Sequence, residues 1–348
     1  MKRVCVSLLA AACGCAQAGG EGKLLIPDSN SDSVWVFDAF DGSMISSSFI
    51  TDPGTDGGVN VFDRPLEVLV AADGALLVID QFSDVVSHFS MSGDYLGIFS
   101  LGGVRDTSIM DNIRGGHVLT SGPGAGQVLV TNSGANNDLV VSQKNVKRLA
   151  PADGSELADF AFNRYGGIRG PFDVIEYNGE VLVADEGQDK IVRYTLDGKF
   201  NERFTSALEV PQLDFPQQMA IAGNGNLLIC AFSSGFILEF DSGGSLVGQY
   251  DPGTLELYRG VAELGNGNLL VTTTSGVFEV TRTGLVVDTE AVGDGFRYIT
   301  LADIDLITKR VGDSEGGERS EPLVAQRDTR DRDEILRDEL GLSKGGTR

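Results

Sequence analysis

The feature that most constrains this chain is a segment pattern that recurs six times along it. Each copy is an apolar, strand-like run that ends in a short polar turn, followed by an alternating strand and usually a glycine turn. The apolar runs end at Asp28, Asp80, Asn132, Asp185, Ala231 and Thr273. Self-similarity with a period of roughly 40 to 50 residues is typical of folds in which every copy is one supersecondary unit.

Glycines close the second strand of each copy. They are Gly42, Gly93, Gly154, Gly198, Gly243 and Gly284. Glycine adopts the positive φ angle of a tight hairpin without the steric penalty that a Cβ atom brings. The glycines therefore predict an antiparallel hairpin in every copy.

A second set of strands precedes the first. Its members begin at Pro65, Ile113, Pro171, Pro216 and Tyr258, and the first copy lacks one. The matching segment FRYITLA, from Phe296, stands after the last copy with no partner behind it. We therefore expect an all-β, six-bladed β-propeller with four-stranded blades, in which the N- and C-terminal strands pair and close the ring.

The N-terminus has the pattern of a secretory signal peptide. MKR precedes a short apolar run that ends in small residues at Ala16 and Ala18. Such a segment is removed on export, so cleavage after Ala18 predicts a secreted or periplasmic protein. Lipid attachment at Cys13, which follows three alanines, is the alternative. No later run approaches the roughly 20 apolar residues that a membrane-spanning helix needs.

Three regions follow from these patterns. We expect a signal peptide at 1–18, the propeller at 19–308 and a charged tail at 309–348. Three of the four cysteines lie in the signal peptide, so the mature chain keeps Cys230 alone and no intramolecular disulfide is expected.

The tail differs from the rest of the chain in composition. From Lys309 onward it has mixed charge and few apolar residues, which predicts a flexible, disordered segment. Within it, RDEILRDELGL could form a short amphipathic helix with Ile335, Leu336 and Leu340 near one side. A docking role for this helix and plain solvated charge both remain open.

The charge of the chain limits its partners. The formal net charge is −23, and a surface of that sign repels polyanions, so we expect no nucleic acid partner. An acidic surface suits divalent cations or a salty medium. We expect a monomer.

Candidates for catalysis are sparse. The chain has two histidines, His88 and His117, and no Gly-rich phosphate loop before a helix. This pattern does not favour a zinc enzyme or a nucleophile triad. His117 falls on an innermost strand and could line the channel, whereas His88 falls on an outer strand. We expect both to be packed or surface residues.

The aspartates at the strand ends have two interpretations. Asp28, Asp80 and Asp185 can accept hydrogen bonds from turn N–H groups and fix those turns. Alternatively, their loops supply carboxylates to a metal.

A glycine-rich loop between the first and second copies offers oxygen ligands at Asp52, Asp56, Asn60 and Asp63. These are weak candidates for a calcium site, because their spacing departs from the EF-hand loop and a Gly-rich turn also explains them.

The segments YRGVAELGNGNLLVTT and VLVADEGQDKIVRYTLDGKF resemble the blades of NHL-repeat and related six-bladed propellers, which include gluconolactonase-like proteins. The resemblance covers roughly residues 22 to 305 and implies the architecture. It does not imply one activity, because such folds include enzymes and binding platforms.

The gluconolactonase-like relatives imply calcium at the channel mouth. The comparable positions here carry Glu67, Asp173, Gln217 and Gln218. A bound calcium ion could polarise a lactone carbonyl. However, Leu66, Phe172 and Gln217 stand where that family's turns carry asparagine.

Arginine lies at or beside the start of the innermost strand in five of the six copies, at Arg64, Arg114, Arg169, Arg259 and Arg297. One interpretation is that these side chains pair with Asp28, Asp80, Asp185 or other turn carboxylates and hold neighbouring blades in register. The other is that they converge on the channel mouth.

In that second interpretation the arginines form a ligand site together with Glu67, Asp173 and Gln218. Guanidinium groups would bind a carboxylate or a sulfate. By elimination, the sequence favours a non-catalytic binding platform for a protein, a peptide, a glycan or a small anionic ligand. A calcium-dependent lactonase or hydrolase is the alternative.

Overall fold

The computed structural model describes residues 22–134, 144–162, 167–251, 253, 257–304 and 332–341. The expected signal peptide, and with it the choice between Ala18 and Cys13, lies outside the described residues. The same holds for 309–331 and 342–348 of the tail. In the described part of the chain, no helix is long and apolar enough to cross a membrane.

Six four-stranded antiparallel sheets form a β-propeller, as the repeat predicts. From the channel outward, blade 1 contains β26 (Thr300–Ala302), β1 (Lys23–Asp28), β2 (Ser33–Asp38) and β3 (Met44–Thr51). Blade 2 contains β6 (Pro65–Val70), β7 (Leu76–Asp80), β8 (Val85–Phe89) and β9 (Tyr95–Ile98). Blade 3 contains β10 (Ile113–Val118), β11 (Val128–Asn132), β12 (Asn145–Leu149) and β13 (Ala161–Phe162).

The remaining blades repeat this order. Blade 4 contains β14 (Pro171–Tyr177), β15 (Glu180–Asp185), β16 (Lys190–Thr195) and β17 (Phe200–Ser206). Blade 5 contains β18 (Pro216–Ile221), β19 (Leu227–Ala231), β20 (Phe236–Phe240) and β21 (Leu246–Tyr250). Blade 6 contains β22 (Gly260–Glu263), β23 (Leu269–Thr272), β24 (Gly276–Val280) and β25 (Val286–Val292).

The described elements outside the blades are short. They are a hairpin of β4 (Thr55–Asp56) and β5 (Val59–Asn60), a single turn α1 (Ser100–Gly103), two 3-10 turns at Gly122–Gly124 and Glu186–Gln188, and the tail helix α2 (Arg332–Glu339). The helix α2 falls within the stretch for which the sequence predicts an amphipathic helix.

The ring closes between the two ends of the domain, as expected. Leu24 of β1 pairs with Leu301 of β26, and a separate bridge joins Asp28 to Phe296. Between these contacts the backbone leaves the ladder, because the Tyr298 N–H donates to the Leu66 carbonyl in blade 2. The innermost strand of blade 1 is therefore shorter than the segment FRYITLA.

The second strands of the blades carry the core. All five residues of β7 and of β19 are buried, which fits apolar runs that are covered on both faces. Packing between neighbouring blades continues this core, as where Leu228 and Cys230 of blade 5 contact Val261 and Val271 of blade 6.

The innermost strands are irregular near their starts. The pairing register shifts between Pro65 and Glu67, and similar shifts occur in β10, β14 and β18. An extra residue of this kind bends a strand and re-aims side chains. The irregularity occurs where polar side chains reach the channel.

One turn differs from its sequence assignment. Five of the six expected glycines have positive φ, but in blade 5 the left-handed residue is Gly244, at φ +87°, rather than Gly243. A Cβ atom on Gly244 would lie 2.4 Å from the Phe204 carbonyl oxygen of the preceding blade, so glycine is required there.

Candidate functional site

The aspartate at the end of β7 organises the start of the neighbouring innermost strand. Its Oδ2 accepts from the N–H groups of Asp63 and Arg64 at 2.9 and 2.8 Å. Its Oδ1 accepts from Phe82 and Ser83 at 3.1 and 2.8 Å. Burial raises the pKa of Asp80 to about 6. Asp80 therefore fixes backbone rather than a ligand.

The equivalent aspartates act in the same way. One oxygen of Asp185 accepts from the N–H groups of Arg169 and Gly170 at 2.9 and 2.7 Å. Asp28 accepts from the Asn30 N–H at 3.1 Å and from the Ser31 hydroxyl at 2.6 Å. The hydrogen bonds confirm the turn interpretation of these aspartates.

The structure shows an arginine paired with a turn carboxylate, although this carboxylate is not Asp28, Asp80 or Asp185: Arg114 Nη1 lies 3.4 Å from Oε1 of Glu186, directly after β15. Asp80 and Asp185 receive the backbone N–H groups of Arg64 and Arg169, and the guanidinium of Arg64 turns to the tail instead. The strand-end carboxylates are already used by backbone donors, so the guanidinium groups are available for other anions.

Three arginines converge on one carboxylate at the channel mouth. Arg259 Nε and Arg297 Nη1 each lie 2.7 Å from Glu339 Oε1, and Arg64 Nη2 lies 3.7 Å from it. Gln217 Nε2 donates to Oε2 of the same glutamate at 3.3 Å. Four blades thus contribute donors to the last residue of α2.

The electrostatics of this cluster are mutual. All three arginines are buried, and Glu339 is 2% exposed. Their positive charge lowers the pKa of Glu339 well below its usual range, despite the burial. Burial and repulsion from Arg297 lower the pKa of Arg64 and Arg259 to about 10. The cluster requires an anion, because unpaired buried charge is unfavourable.

A second set of donors holds the end of α2. The Leu340 carbonyl accepts from Asn112 Nδ2 at 3.1 Å and from Arg114 Nη2 at 3.3 Å. Asp338 receives Arg64 Nη1 at 2.9 Å. The last carbonyls of a helix have no partner within the helix and carry partial negative charge. The propeller therefore caps this helix end with cationic and amide groups.

An apolar well lies beside the arginines. Ile335, which is 3% exposed, is buried in it, and Leu336 and Leu340 pack at its edge. The wall of the well is formed by Phe172, Phe215, Phe232, Leu257 and Tyr298. All three apolar residues that the sequence places on one side of the tail helix thus contact the propeller.

The arginines are held by the propeller itself. Arg64 stacks on Phe82 with 5.0 Å to the ring centre, and Arg114 stacks on Phe172 at 4.4 Å. Arg297 Nε donates to the Ser29 hydroxyl at 2.9 Å. Such contacts orient guanidinium groups independently of any bound anion.

The structure does not place Arg169 in this cluster. Its side chain is exposed. Its innermost strand begins at Pro171, and Phe172 takes part in the apolar well instead. Four of the five arginines singled out by the sequence therefore come together.

Glu67, Asp173 and Gln218 lie on the innermost strands β6, β14 and β18 and bridge neighbouring blades. Glu67 accepts from the Gly116 N–H at 2.7 Å. Asp173 accepts from Met219 at 2.6 Å and from Val174 at 2.7 Å. These carboxylates bond to backbone N–H groups of the innermost strands rather than to α2.

Gln218 completes this layer of bridges. Its amide donates to the Ile299 carbonyl at 2.7 Å and accepts from the N–H groups of Val261 and Ile299, both at 3.0 Å. Both ends of the amide are occupied by the backbone, so Gln218 joins blades 5, 6 and 1.

Glu67 and Asp173 form a buried acidic pair. Both flank the Gly115–Gly116 segment, where a Cβ on Gly115 would lie 2.7 Å from Asp173 Oδ1. Burial and the neighbouring Asp173 raise the pKa of Glu67 well above its usual value, and burial raises that of Asp173 to about 7. Asp173 accepts two N–H groups, which favours its charged form, whereas Glu67 accepts one.

The candidates for a metal site form no cluster. Asp52 accepts from the Gly54 N–H at 2.9 Å and Asp56 from the Tyr95 hydroxyl at 2.8 Å. The Asp63 N–H donates to Asp80. Across the described ranges, no three His, Cys, Asp or Glu side chains are grouped as metal ligands.

The histidines are packed residues. His117 lies on β10, and burial lowers its pKa to about 4. His88 lies on β8, in the third strand of its blade, and packs edge-on against Phe99 at 6.0 Å.

Sequence reasoning missed the anion at the arginine cluster. Glu339 and Asp338 lie in the tail, and no local pattern connects them with blades that precede them by many residues. One signal was available: RDEILRDELGL contains a glutamate four residues after the isoleucine of its apolar side.

No family model and no curated protein matches the sequence. Solved structures do resemble it. A protein of unknown function from Bacteroides caccae gives a TM-score of 0.56 at 12% identity, covering 81% of this chain and 99% of that chain. A chain of a nidogen–laminin complex gives 0.61 at 14% identity, with 81% and 98% covered.

Virginiamycin B lyase from Staphylococcus aureus gives a TM-score of 0.50 at 13% identity, with 81% of this chain and 92% of that chain covered. These similarities confirm the six-bladed propeller fold. At such identities they show the fold alone, and the fold includes both binding proteins and enzymes.

Proposed function

We propose that this chain is an exported binding protein whose propeller holds a carboxylate-bearing ligand at the channel mouth. The observation that carries the proposal is the arginine seat, which is the site that Arg64, Arg259 and Arg297 form around Glu339. Oε1 of Glu339 lies 2.7 Å from both Arg259 Nε and Arg297 Nη1. Bidentate and converging guanidinium contacts are the arrangement by which proteins recognise carboxylates.

The charge of the chain makes this seat distinctive. In a protein with a net charge of −23, buried arginines from separate blades meet at one point. An acidic surface does not attract anions at long range, so recognition depends on short-range contacts within the mouth. A ligand that matches both the cations and the apolar well would therefore be bound selectively.

The calcium-dependent lactonase has weaker support. One oxygen of Glu67 and both oxygens of Asp173 accept backbone N–H groups. Among the residues that the structure describes, no three His, Cys, Asp or Glu side chains are grouped so that they could hold a metal ion. Calorimetric titration of the full chain with calcium tests this alternative, and tight binding that Asp173→Asn abolishes would favour it.

The carboxylate site can be tested in the full chain once its tail is displaced. In the tail-released chain, which carries Ile335→Ser and Glu339→Gln, both contacts of α2 are weakened without adding charge. N-acetylglutamate α-amide should raise its melting temperature in a saturable manner, relative to chloride at equal ionic strength. Adding Arg259→Gln or Arg297→Gln should remove the shift. No shift in the tail-released chain would refute the site.

Export is a separate part of the proposal, supported by the pattern of residues 1–18. The intact mass of the exported protein should correspond to a chain that starts at Gly19. A diacylglyceryl-modified Cys13 at the N-terminus would assign it to the lipoproteins instead.

A further inference from the structure

We propose that the ligand of the channel mouth is an amphipathic, acidic helix of a partner protein, and that α2 is this chain's own competitor for the site. The inference rests on the proposed function and specifies its ligand. The helix would enter with its C-terminal end first and present the pattern Ile-x-x-x-Glu-Leu-Gly that α2 presents.

The spacing of the two halves of the site selects a helix. Ile335 fills the apolar well, and Glu339 fills the arginine seat. Residues four apart lie on the same face of an α-helix about one turn from each other. A small anion or a sulfated glycan would satisfy only the charged half.

The end of the helix is recognised as well. Gly341 has φ +74°, and a Cβ atom there would lie 3.1 Å from both Asn112 Oδ1 and Gln81 Nε2. A left-handed glycine after the last turn is a common helix C-cap. Asn112 and Arg114 donate to the Leu340 carbonyl. The site therefore recognises a helix whose last turn ends at this position.

The propeller does not depend on α2 for its construction. No residue of α2 belongs to a blade, and every arginine of the seat also contacts the propeller: Arg64 stacks on Phe82, Arg259 donates to the Asp294 carbonyl and Arg297 donates to the Ser29 hydroxyl. The backbone N–H of Arg64 also donates to Asp80 Oδ2 at 2.8 Å, and the backbone N–H of Arg259 donates to the Thr272 carbonyl at 2.9 Å. The seat is therefore available to another helix when α2 leaves.

The helix α2 is suited to exchange. It has eight residues, and isolated helices shorter than about 12 residues are marginal in water, so docking and helix formation are coupled. Residues 305–331 connect it to the propeller. A tethered segment competes at an effective concentration on the order of millimolar. A partner helix must therefore bind with an affinity high enough to compete with the tethered α2, or α2 must first be displaced.

The test uses a fluorescein-labelled peptide of residues 331–344, measured by anisotropy against the full chain and the tail-released chain. We expect at least tenfold tighter binding to the tail-released chain. Peptides that carry Glu→Gln or Ile→Ser at the positions of Glu339 and Ile335 should each bind at least tenfold more weakly. Arg297→Gln in the tail-released chain should reduce binding of the unmodified peptide.

Equal affinity for both chains would overturn the role of α2 as competitor. The peptide could fail to bind the tail-released chain while N-acetylglutamate α-amide still raised the melting temperature of that chain. This result would refute the helical ligand but support the carboxylate site. Failure of both probes would remove both proposals. A dimer of the unmodified chain in sedimentation, absent from the tail-released chain, would assign the seat to a second copy's tail and overturn the partner helix.

Discussion

Arg259 Nε lies 2.7 Å from Glu339 Oε1, although the two residues are 80 positions apart in the chain. The arginine precedes the innermost strand of blade 6, and the glutamate ends the tail helix. Their pairing neutralises a buried cationic cluster and fixes the position of a segment that belongs to no blade.

The docking of α2 should depend on pH through Glu339. Its pKa is lowered in the folded state, so its stabilisation is complete above the ordinary value of about 4.3 and is lost as the pH falls toward the folded value. Amide protection factors in α2, corrected for intrinsic exchange, should decrease below about pH 4. In Glu339→Gln, protection should be low throughout. Unchanged protection in the unmodified chain down to pH 2 would contradict this prediction.

The acidic pair in the channel should respond asymmetrically to amide substitution. Glutamine keeps the acceptor for the Gly116 N–H and removes the cost of burying a carboxyl whose pKa is raised, so Glu67→Gln should stabilise rather than destabilise the fold at pH 7. Asp173→Asn removes one of two acceptors and should destabilise the fold by about 1 to 3 kcal/mol. Urea denaturation measures both.

The same pair gives a pH dependence with a defined sign. The folded pKa of Glu67 is raised, so the native state keeps a proton that the unfolded state loses above about pH 4.3, and stability falls as pH rises through that window. Glu67→Gln should remove this contribution, and its stability relative to the unmodified chain should increase with pH. A constant difference from pH 4 to 8 would show that Glu67 is ionised.

The turn between β20 and β21 provides a matched pair of glycines. Gly244→Ala should destabilise the propeller by more than about 1 kcal/mol. The alanine would have to adopt a left-handed backbone conformation, and its Cβ atom would clash with the Phe204 carbonyl. Gly243→Ala should change stability by less than about 0.5 kcal/mol, since its φ is not positive. Thermal unfolding distinguishes them, and equal effects would contradict the turn geometry.

The architecture could be predicted because it repeats. Apolar runs such as LLVID and LLICA are buried at every position, and the recurrence of such runs along the chain can be seen in a single sequence. The closing strand was visible for the same reason, although its ladder is interrupted where the Tyr298 N–H bonds to blade 2. The shift from Gly243 to Gly244 shows that a one-residue choice within a turn is not determined by such a pattern.

The candidate site could be predicted only in part. The placement of Arg64, Arg259 and Arg297 at strand starts left convergence open as one of two interpretations, because strands of one type start on one face of a propeller. The anion could not be inferred, since Glu339 reaches the cluster through a tertiary contact with no sequence periodicity. Glu67 and Asp173 lie on innermost strands, as the repeat indicates, but their backbone partners depend on the register shifts of those strands.

The most direct measurement is a double-mutant cycle in urea denaturation between Arg259→Gln and Glu339→Gln, with Arg169→Gln and Glu339→Gln as the control cycle. Direct contact in a buried site predicts a coupling free energy of at least about 1 kcal/mol for the first pair. The exposed Arg169 predicts a coupling near zero. Additive effects for Arg259 and Glu339 would contradict the carboxylate seat at the channel mouth.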